Sequence, residues 1–190
     1  GDEAMGRITA LANPSPVLAV VRKPEDSYIK DASKLAPLLQ EGGLFLALDT
    51  IRDPGNLGTI FRTAEAAHFD GIIMTKGCVS AYNPKVVRST MGAILRLPFS
   101  YVDNTKEALE LCKKEGVRVY ATALSGKDIR EVSYDNKSAF IIGNESRGIS
   151  SDTLLESDEL IKIPMNPVSE SLNAAVAAGI IMYDSVLTFI

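Results

Sequence analysis

Short apolar runs alternate with helical patterns along most of this chain. The runs are Val17–Val21, Leu44–Asp49, Gly71–Thr75, Leu97–Val102, Arg118–Leu124, Ala139–Gly143 and Leu160–Pro164. They are continuous rather than alternating, which suits strands covered on both faces, the pattern of a mostly parallel sheet between helices. Between them, Leu57, Ile60, Phe61 and Ala64 recur at i, i+3, i+4 and i+7, predicting a helix that leaves Thr59, Arg62 and Glu65 off its buried stripe. Asn104 with Glu107 has the form of a capping box, opening a helix through Ala108, Leu111 and Cys112 to Gly116. Ser171–Ile190 is apolar nearly all round, with Asp184 its only charge, so it must be covered on several sides by the sheet or by another subunit. The fold class is α/β. Asn13-Pro14-Ser15-Pro16 closes an extended lead-in, and residues 1–16 read as a linker or the tail of an N-terminal domain before a domain at 17–190.

Composition narrows the chemistry. The chain has 190 residues, 20 basic and 24 acidic side chains, two cysteines and one histidine. Two cysteines outside any C-x-x-C pair make neither a disulfide framework nor a structural zinc site, and they point to a cytoplasmic setting. A single histidine, His68, rules out a His-rich metal site; following an apolar stripe, it reads as a satisfied structural residue. No metal is expected. The longest apolar run, within Ala174–Tyr183, is about half of a membrane span. No strand is followed by G-x-G-x-x-G, and neither G-x-x-x-x-G-K-[ST] nor G-x-S-x-G occurs, which removes nucleotide hydrolysis, ordinary dinucleotide binding and serine hydrolysis.

What remains is three polar junctions where a run ends and a helix begins, the places where parallel α/β sheets bind ligands. In Asp49–Ala64, Pro54-Gly55 makes a turn and Asn56 is placed to cap the helix that carries Arg62. In Gly143-Asn144-Glu145-Ser146-Arg147-Gly148, two glycines bracket a polar loop, permitting close backbone approach to a ligand. In the third, Ile163-Pro164-Met165 leads through a polar loop into Ser171-Leu172-Asn173 and an Ala-rich stretch, where Ser171 and Asn173 are candidate caps.

Together these junctions resemble the SpoU/TrmH family of RNA ribose 2′-O-methyltransferases, within the knotted SPOUT class. The matching segments are Asp53–Ala64, Gly143–Gly148, Ile163–Met165 and Ser171–Gly179, supported by Arg88–Ala93 and Ala121–Leu124. The resemblance spans about residues 17–190, in order. It implies an open, mostly parallel sheet with a C-terminal trefoil knot, S-adenosylmethionine bent into that knot, and a homodimer paired through the knotted region. By motif, it implies a cofactor site at Ala123, Leu124, Gly143, Asn144, Glu145, Ile163, Pro164, Met165, Leu172, Asn173 and Ala174. It gives Arg62 the catalytic role, supported by Asn56, Glu145, Ser171 and Asn173. Pro167-Val168-Ser169-Glu170 departs from the family pattern.

A guanidinium, with a pKa above about 12, is a poor general base. Arg62 suits gripping a phosphate and stabilising a developing alkoxide, with the proton leaving through Ser171 or water. An acidic chain is a poor generic RNA binder, yet Gly71–Val102 holds Lys76, Lys85, Arg88 and Arg96 without an acid. Arg52, Arg62, Lys85, Arg88 and Arg147 are the expected contacts to RNA, ribosomal in preference to transfer RNA. The alternatives are a non-catalytic RNA-binding module of the same fold and an α/β transferase acting on a small molecule.

Overall fold

The structure is a computed structural model that describes residues 2–9, 13, 16–22, 28–29, 35–144 and 147–187. Its strands are β1 (Tyr28–Ile29), β2 (Gly43–Leu48), β3 (Gly71–Thr75), β4 (Phe99–Val102), β5 (Arg118–Asp128), β6 (Lys137–Ile142) and β7 (Glu159–Lys162). They form one sheet in the order β1-β4-β3-β2-β6-β5-β7, parallel at each pairing. The helices are α1 (Asp2–Ile8), α2 (Ala36–Glu41), α3 (Pro54–Ala66), α4 (Pro84–Ser89), α5 (Thr105–Lys114), α6 (Ser151–Glu156) and α7 (Ala174–Leu187).

The continuous apolar runs are explained by burial on both faces. In β2, Leu44, Leu46 and Leu48 enter one core with Leu57, Ile60 and Phe61 of α3, Val86 of α4 and Ile181 and Met182 of α7. Phe45 and Ala47 of the same strand enter a second core with Leu39 of α2 and Ala108, Leu109 and Cys112 of α5. The predicted stripe of α3 is fully buried, each large side chain contributing about 1.5–3 kcal/mol. At α5 the expected cap forms, with Glu107 N–H donating to Asn104 Oδ1 at 3.1 Å, but the Glu107 carboxylate reaches one residue beyond the cap and accepts from Asp103 N–H at 2.6 Å.

Three expectations fail. Val17–Val21 is not a strand; the segment runs exposed, with Val20 at 93% of its full accessibility, because an apolar run without a neighbouring strand has nothing to pair with. Within the expected extended lead-in, Asp2–Ile8 is helical, tied by an Arg7–Glu3 pair one turn apart, while Pro14 and Ser15 lie outside the described residues. His68 is exposed rather than satisfied in the core. It takes a φ of 55° just after α3, where its N–H bonds the Glu65 carbonyl and the Phe69 N–H bonds that of Ala64, a left-handed helix stop usually made by glycine.

Strand β5 is longer than its apolar run and carries an irregularity that shapes the far edge. Ile161 of β7 registers with both Thr122 and Lys127 of β5, so the intervening residues loop outward around the neighbouring strand. A Cβ on Gly126 would lie 2.5–2.7 Å from the Ile161 backbone, so this crossing admits no side chain. Beyond β7 the chain returns as α7 across the sheet to α3, and Tyr134, between β5 and β6, donates from its hydroxyl to Asp184 of α7 at 2.9 Å. Burial first, and the Asp184 carboxylate second, push the Tyr134 hydroxyl pKa well up.

Two outcomes follow from this packing. Gly126→Ala should cost about 1–3 kcal/mol in urea unfolding, because neither backbone at the crossing can give way cheaply, whereas Gly6→Ala, with open space around it, should cost nothing. Burial pushes the Cys112 thiol up to about 12, so it stays protonated where an unfolded thiol ionises. The folded state then holds a proton that the unfolded state loses. Stability should therefore fall between about pH 9 and 12 by up to roughly 1 kcal/mol per pH unit, and Cys112→Ala should flatten that slope.

Candidate active site

Strand addition runs from β2 through β3 to β4 in one direction; the chain then crosses to β5 on the other side of β2, and β6 takes the place between β5 and β2. The carboxyl ends of β2 and β6 therefore open a crevice, the place where open parallel sheets receive ligands. The loop after β2 and the loop after β6 face each other across it.

In the first loop, Asp53 rather than Asn56 caps α3, its Oδ1 accepting from Asn56 N–H at 2.7 Å. Pro54 takes the first helical position, which moves the cap one turn earlier than the sequence suggested. Asn56 is thereby freed for another contact: its Oδ1 accepts from Asn173 Nδ2 at 3.0 Å. Asn173 Oδ1 in turn accepts from the N–H groups of Ala175 and Val176 at 3.0 and 3.2 Å, capping α7. One side chain thus closes the helix and joins the first junction to the third.

The second loop is tied to the first by Asn144 Nδ2, which donates to the Thr50 carbonyl at 2.8 Å. Asn144 and Gly148 exchange backbone hydrogen bonds of 3.2 and 2.9 Å, closing a tight loop in which Gly148 has a φ of 66°. The need for glycine at 143 comes from within this loop: a Cβ there would lie 2.6 Å from the Gly148 carbonyl carbon and 2.7 Å from Ile149. Glycine at 143 is therefore required by the packing of its own loop, and Gly143 also borders one of the two cavities described next. Glu145 and Ser146 lie outside the described residues.

Two cavities share the wall made by Asn144, Arg147 and Gly148. One, of about 630 Å³, lies at the ends of β5, β6 and β7, bordered by Ala123, Leu124, Gly143, Ile163, Met165, Ser171, Leu172 and Ala174. Its size and its mixture of apolar side chains with exposed backbone suit a small cofactor. The other, of about 700 Å³, is the crevice at the switch point, bordered by Asp49, Thr50, Arg52, Asp53, Asn56, Arg147 and Ser150. Pro164 and Asn173 border neither; Asn173 is turned toward Asn56. Thr122, Lys162, Glu170 and Ala177 border the first cavity without having been singled out. Lys162 and Glu170 directly flank the third junction, and that proximity was the available signal.

Arg62 is exposed on α3, outside both walls. Lys85 and Arg88 are exposed on α4, with Lys85 beside the Pro54-Gly55 turn. The basic stretch 71–102 is less basic in space than in sequence. Lys76 pairs with Asp103, and Arg96 grips Glu65 through two nitrogens. The Arg96 guanidinium holds the Glu65 carboxyl below its usual range. Among the described residues there is no cluster of His, Cys, Asp or Glu able to hold a metal ion, and no helix long and apolar enough to cross a membrane.

This fold and site define an α/β protein with a candidate cofactor cavity beside a polar crevice that carries two arginines and two aspartates. Residues 43–183 match the model of the SpoU rRNA methylase family, and the chain belongs to that family. It is 35% identical over 189 residues to a 23S rRNA (guanosine(2553)-2′-O)-methyltransferase, RlmP, of Bacillus subtilis (strain 168), covering 96% of this chain and 69% of that protein. Among solved structures, the AdoMet-bound rRNA methyltransferase from Sinorhizobium meliloti superposes with a TM-score of 0.75 at 34% identity, covering 80% of this chain and 60% of that one. The SpoU methyltransferase AviRb from Streptomyces viridochromogenes in complex with AdoMet gives 0.73 at 29% identity, covering 77% and 60%. The chain thus spans about two thirds of the length of such relatives. It is a methyltransferase domain of the S-adenosylmethionine-dependent kind.

Asn173 both caps α7 and joins it to the first junction, so Asn173→Ala should lower urea stability by about 1 kcal/mol, the worth of a helix cap, while Asn173→Asp, which keeps the capping oxygen, should recover most of that loss.

Proposed function

We propose that this domain methylates a ribose 2′-hydroxyl of RNA, ribosomal RNA in preference to transfer RNA. The observation that carries the proposal is the pair of cavities divided by one wall: a partly apolar one for the cofactor, and a polar crevice in which Arg52 and Arg147 stand beside Asp49 and Asp53. The first cavity fits S-adenosylmethionine chemically. Leu124, Ile163, Met165 and Leu172 can enclose a flat ring, Gly143 and its neighbours offer backbone groups to the ring edge, and Ser171 and Glu170 offer polar contacts. When bound, the cofactor supplies an electrophilic methyl group on sulfonium.

The protein's own residues align and compensate charge. Arg52 and Arg147 hold phosphate oxygens of the acceptor strand, with Lys85 and Arg88 extending the positive surface. Arg62, permanently charged, stabilises the alkoxide character that develops on the attacking oxygen. Ser171, on the cofactor wall, is the polar group through which a proton can leave, and Asn56 with Asn173 keeps the first and third junctions in register. Glu145 carries the remaining polar role of the second loop. A trefoil knot formed where β7 is encircled by the β5 loop would fix that cofactor wall from behind.

A homodimer completes this reading. Along α7, Val176, Ile180, Tyr183 and Leu187 form an exposed apolar strip at helical spacing, and Val87, Met91 and Leu95 are exposed on and after α4. Helix α3, bearing Arg62, packs against both elements. Apolar surface on that scale marks a protein interface. A second copy covering it also brings Arg62 against the partner. An upstream domain, extending from the N-terminal lead-in, supplies RNA affinity that a net charge of −4 does not.

Calorimetry should detect S-adenosylhomocysteine binding to the 190-residue chain, and label from S-adenosylmethionine should pass to RNA. The absence of both at millimolar ligand would reject the assignment. Arg62→Ala should leave product binding nearly intact and cut turnover by about 10²-fold or more. Light scattering should report a dimer at micromolar concentration, which Ile180→Asp with Tyr183→Asp converts to monomer; a wild-type monomer would reject the interface.

A further inference from the structure

We propose that Thr50 is a positioning residue for methyl transfer: its left-handed backbone aims a carbonyl at Asn144 and so fixes the wall common to both cavities. The proposal rests on the assignment of those cavities given above. Thr50 has a φ of 57°, a region in which a β-branched side chain crowds its own backbone and which glycine occupies freely. Such conformations persist where the surroundings over-determine them, and they concentrate at functional sites.

Here the determination can be followed atom by atom. Thr50 N–H donates to Thr75 Oγ1 at 3.0 Å, and the Thr50 hydroxyl donates to Asp49 Oδ1 at 2.8 Å. Ile51 N–H donates to Cys78 Sγ at 3.3 Å, the Ile51 carbonyl accepts from Val79 N–H at 2.8 Å, and the Cys78 thiol donates to the Leu48 carbonyl at 3.4 Å. The turn is therefore fastened along one flank to the segment after β3. On its other flank the Thr50 carbonyl accepts from Asn144 Nδ2 at 2.8 Å. Asn144 also accepts from Arg147 N–H at 3.1 Å through its side-chain oxygen. The carboxamide needs both a donor and an acceptor, so an aspartate could not make the same pair of bonds.

An extended backbone at residue 50 would turn the carbonyl away and release the loop that separates cofactor from acceptor. Group transfer between two bound partners is sensitive to that separation, since displacements of about 1 Å cost large factors in rate. Thr50 touches the cofactor cavity nowhere, yet it sets the position of a wall residue within it.

The test is the affinity for S-adenosylhomocysteine, measured by calorimetry on the 190-residue chain, together with the Asn144 side-chain amide signal by NMR and the unfolding midpoint of the free protein. Thr50→Val keeps the shape but loses the hydroxyl that holds the twist. It should weaken binding about tenfold, the worth of one hydrogen bond, and shift the Asn144 signal. Thr50→Gly adopts the left-handed conformation without strain and should stay within about twofold of wild type. Asp49→Ala, a change outside the cofactor cavity, should weaken binding severalfold, and Asp49→Asn, which keeps the accepting oxygen, should restore it. A purely structural role would lower the unfolding midpoint without separating Val from Gly in affinity. Wild-type affinity in both a folded Thr50→Val and Asp49→Ala, or equal losses in Val and Gly, would overturn the proposal alone. No binding by the wild type would overturn the cavity assignment and the proposal with it. Should Thr50→Val fail to fold, the Asp49 pair decides.

Discussion

The reversal of strand order between β2 and β6 is the constraint on which the site depends. A parallel sheet covered on both faces satisfies its backbone internally and leaves polar backbone only at its rims. At the carboxyl rim, neighbouring loops normally continue into crossovers on the same side and cover one another. Between β2 and β6 they diverge, and the resulting gap receives the loops beginning at Asp49 and Gly143. The cofactor cavity on the far side of the second loop is a consequence of the same arrangement, because β5 and β7 complete the sheet beyond β6.

Electrostatics are organised by pairing as much as by placement. Lys76 and Arg96 are neutralised by acids from other segments, whereas Arg52, Arg62, Lys85, Arg88, Arg147 and Lys162 are exposed cations. The exposed ion pairs contribute little to stability, about 0–1 kcal/mol each, and their more important effect is to confine the positive surface. An acidic protein can thereby offer local cations without binding polyanions over its whole surface.

The central strands were legible because burial on both faces leaves continuous apolar runs, and α3 and α5 because their stripes and caps are local features. Val17–Val21 has the same composition as those strands and misleads, since pairing partners are not written in the run itself. The helix stop at His68 and the turn at Thr50 were invisible for a related reason: both residues hold conformations that favour glycine, and only surrounding hydrogen bonds keep them there. The three junctions were legible as motifs, but their mutual contacts were not. Asn56 was read as a cap because it precedes an apolar stripe; the fold gives that task to Asp53 and spends Asn56 on a partner 117 residues away. Gly143 was read from the ligand's side alone, whereas the packing of its own loop also requires glycine there.

The strand order also governs how copies of this protein avoid one another. A sheet edge is a row of unpaired N–H and C=O groups that can recruit any passing strand. Here the outer positions are filled by two residues at one end, Tyr28–Ile29, and four at the other, Glu159–Lys162, the latter begun and ended by charges of opposite sign. Long apolar strands such as β2 and β6 are kept in the middle, where a neighbouring strand pairs with each flank. Short margins of this kind disfavour uncontrolled edge-to-edge growth into fibrils.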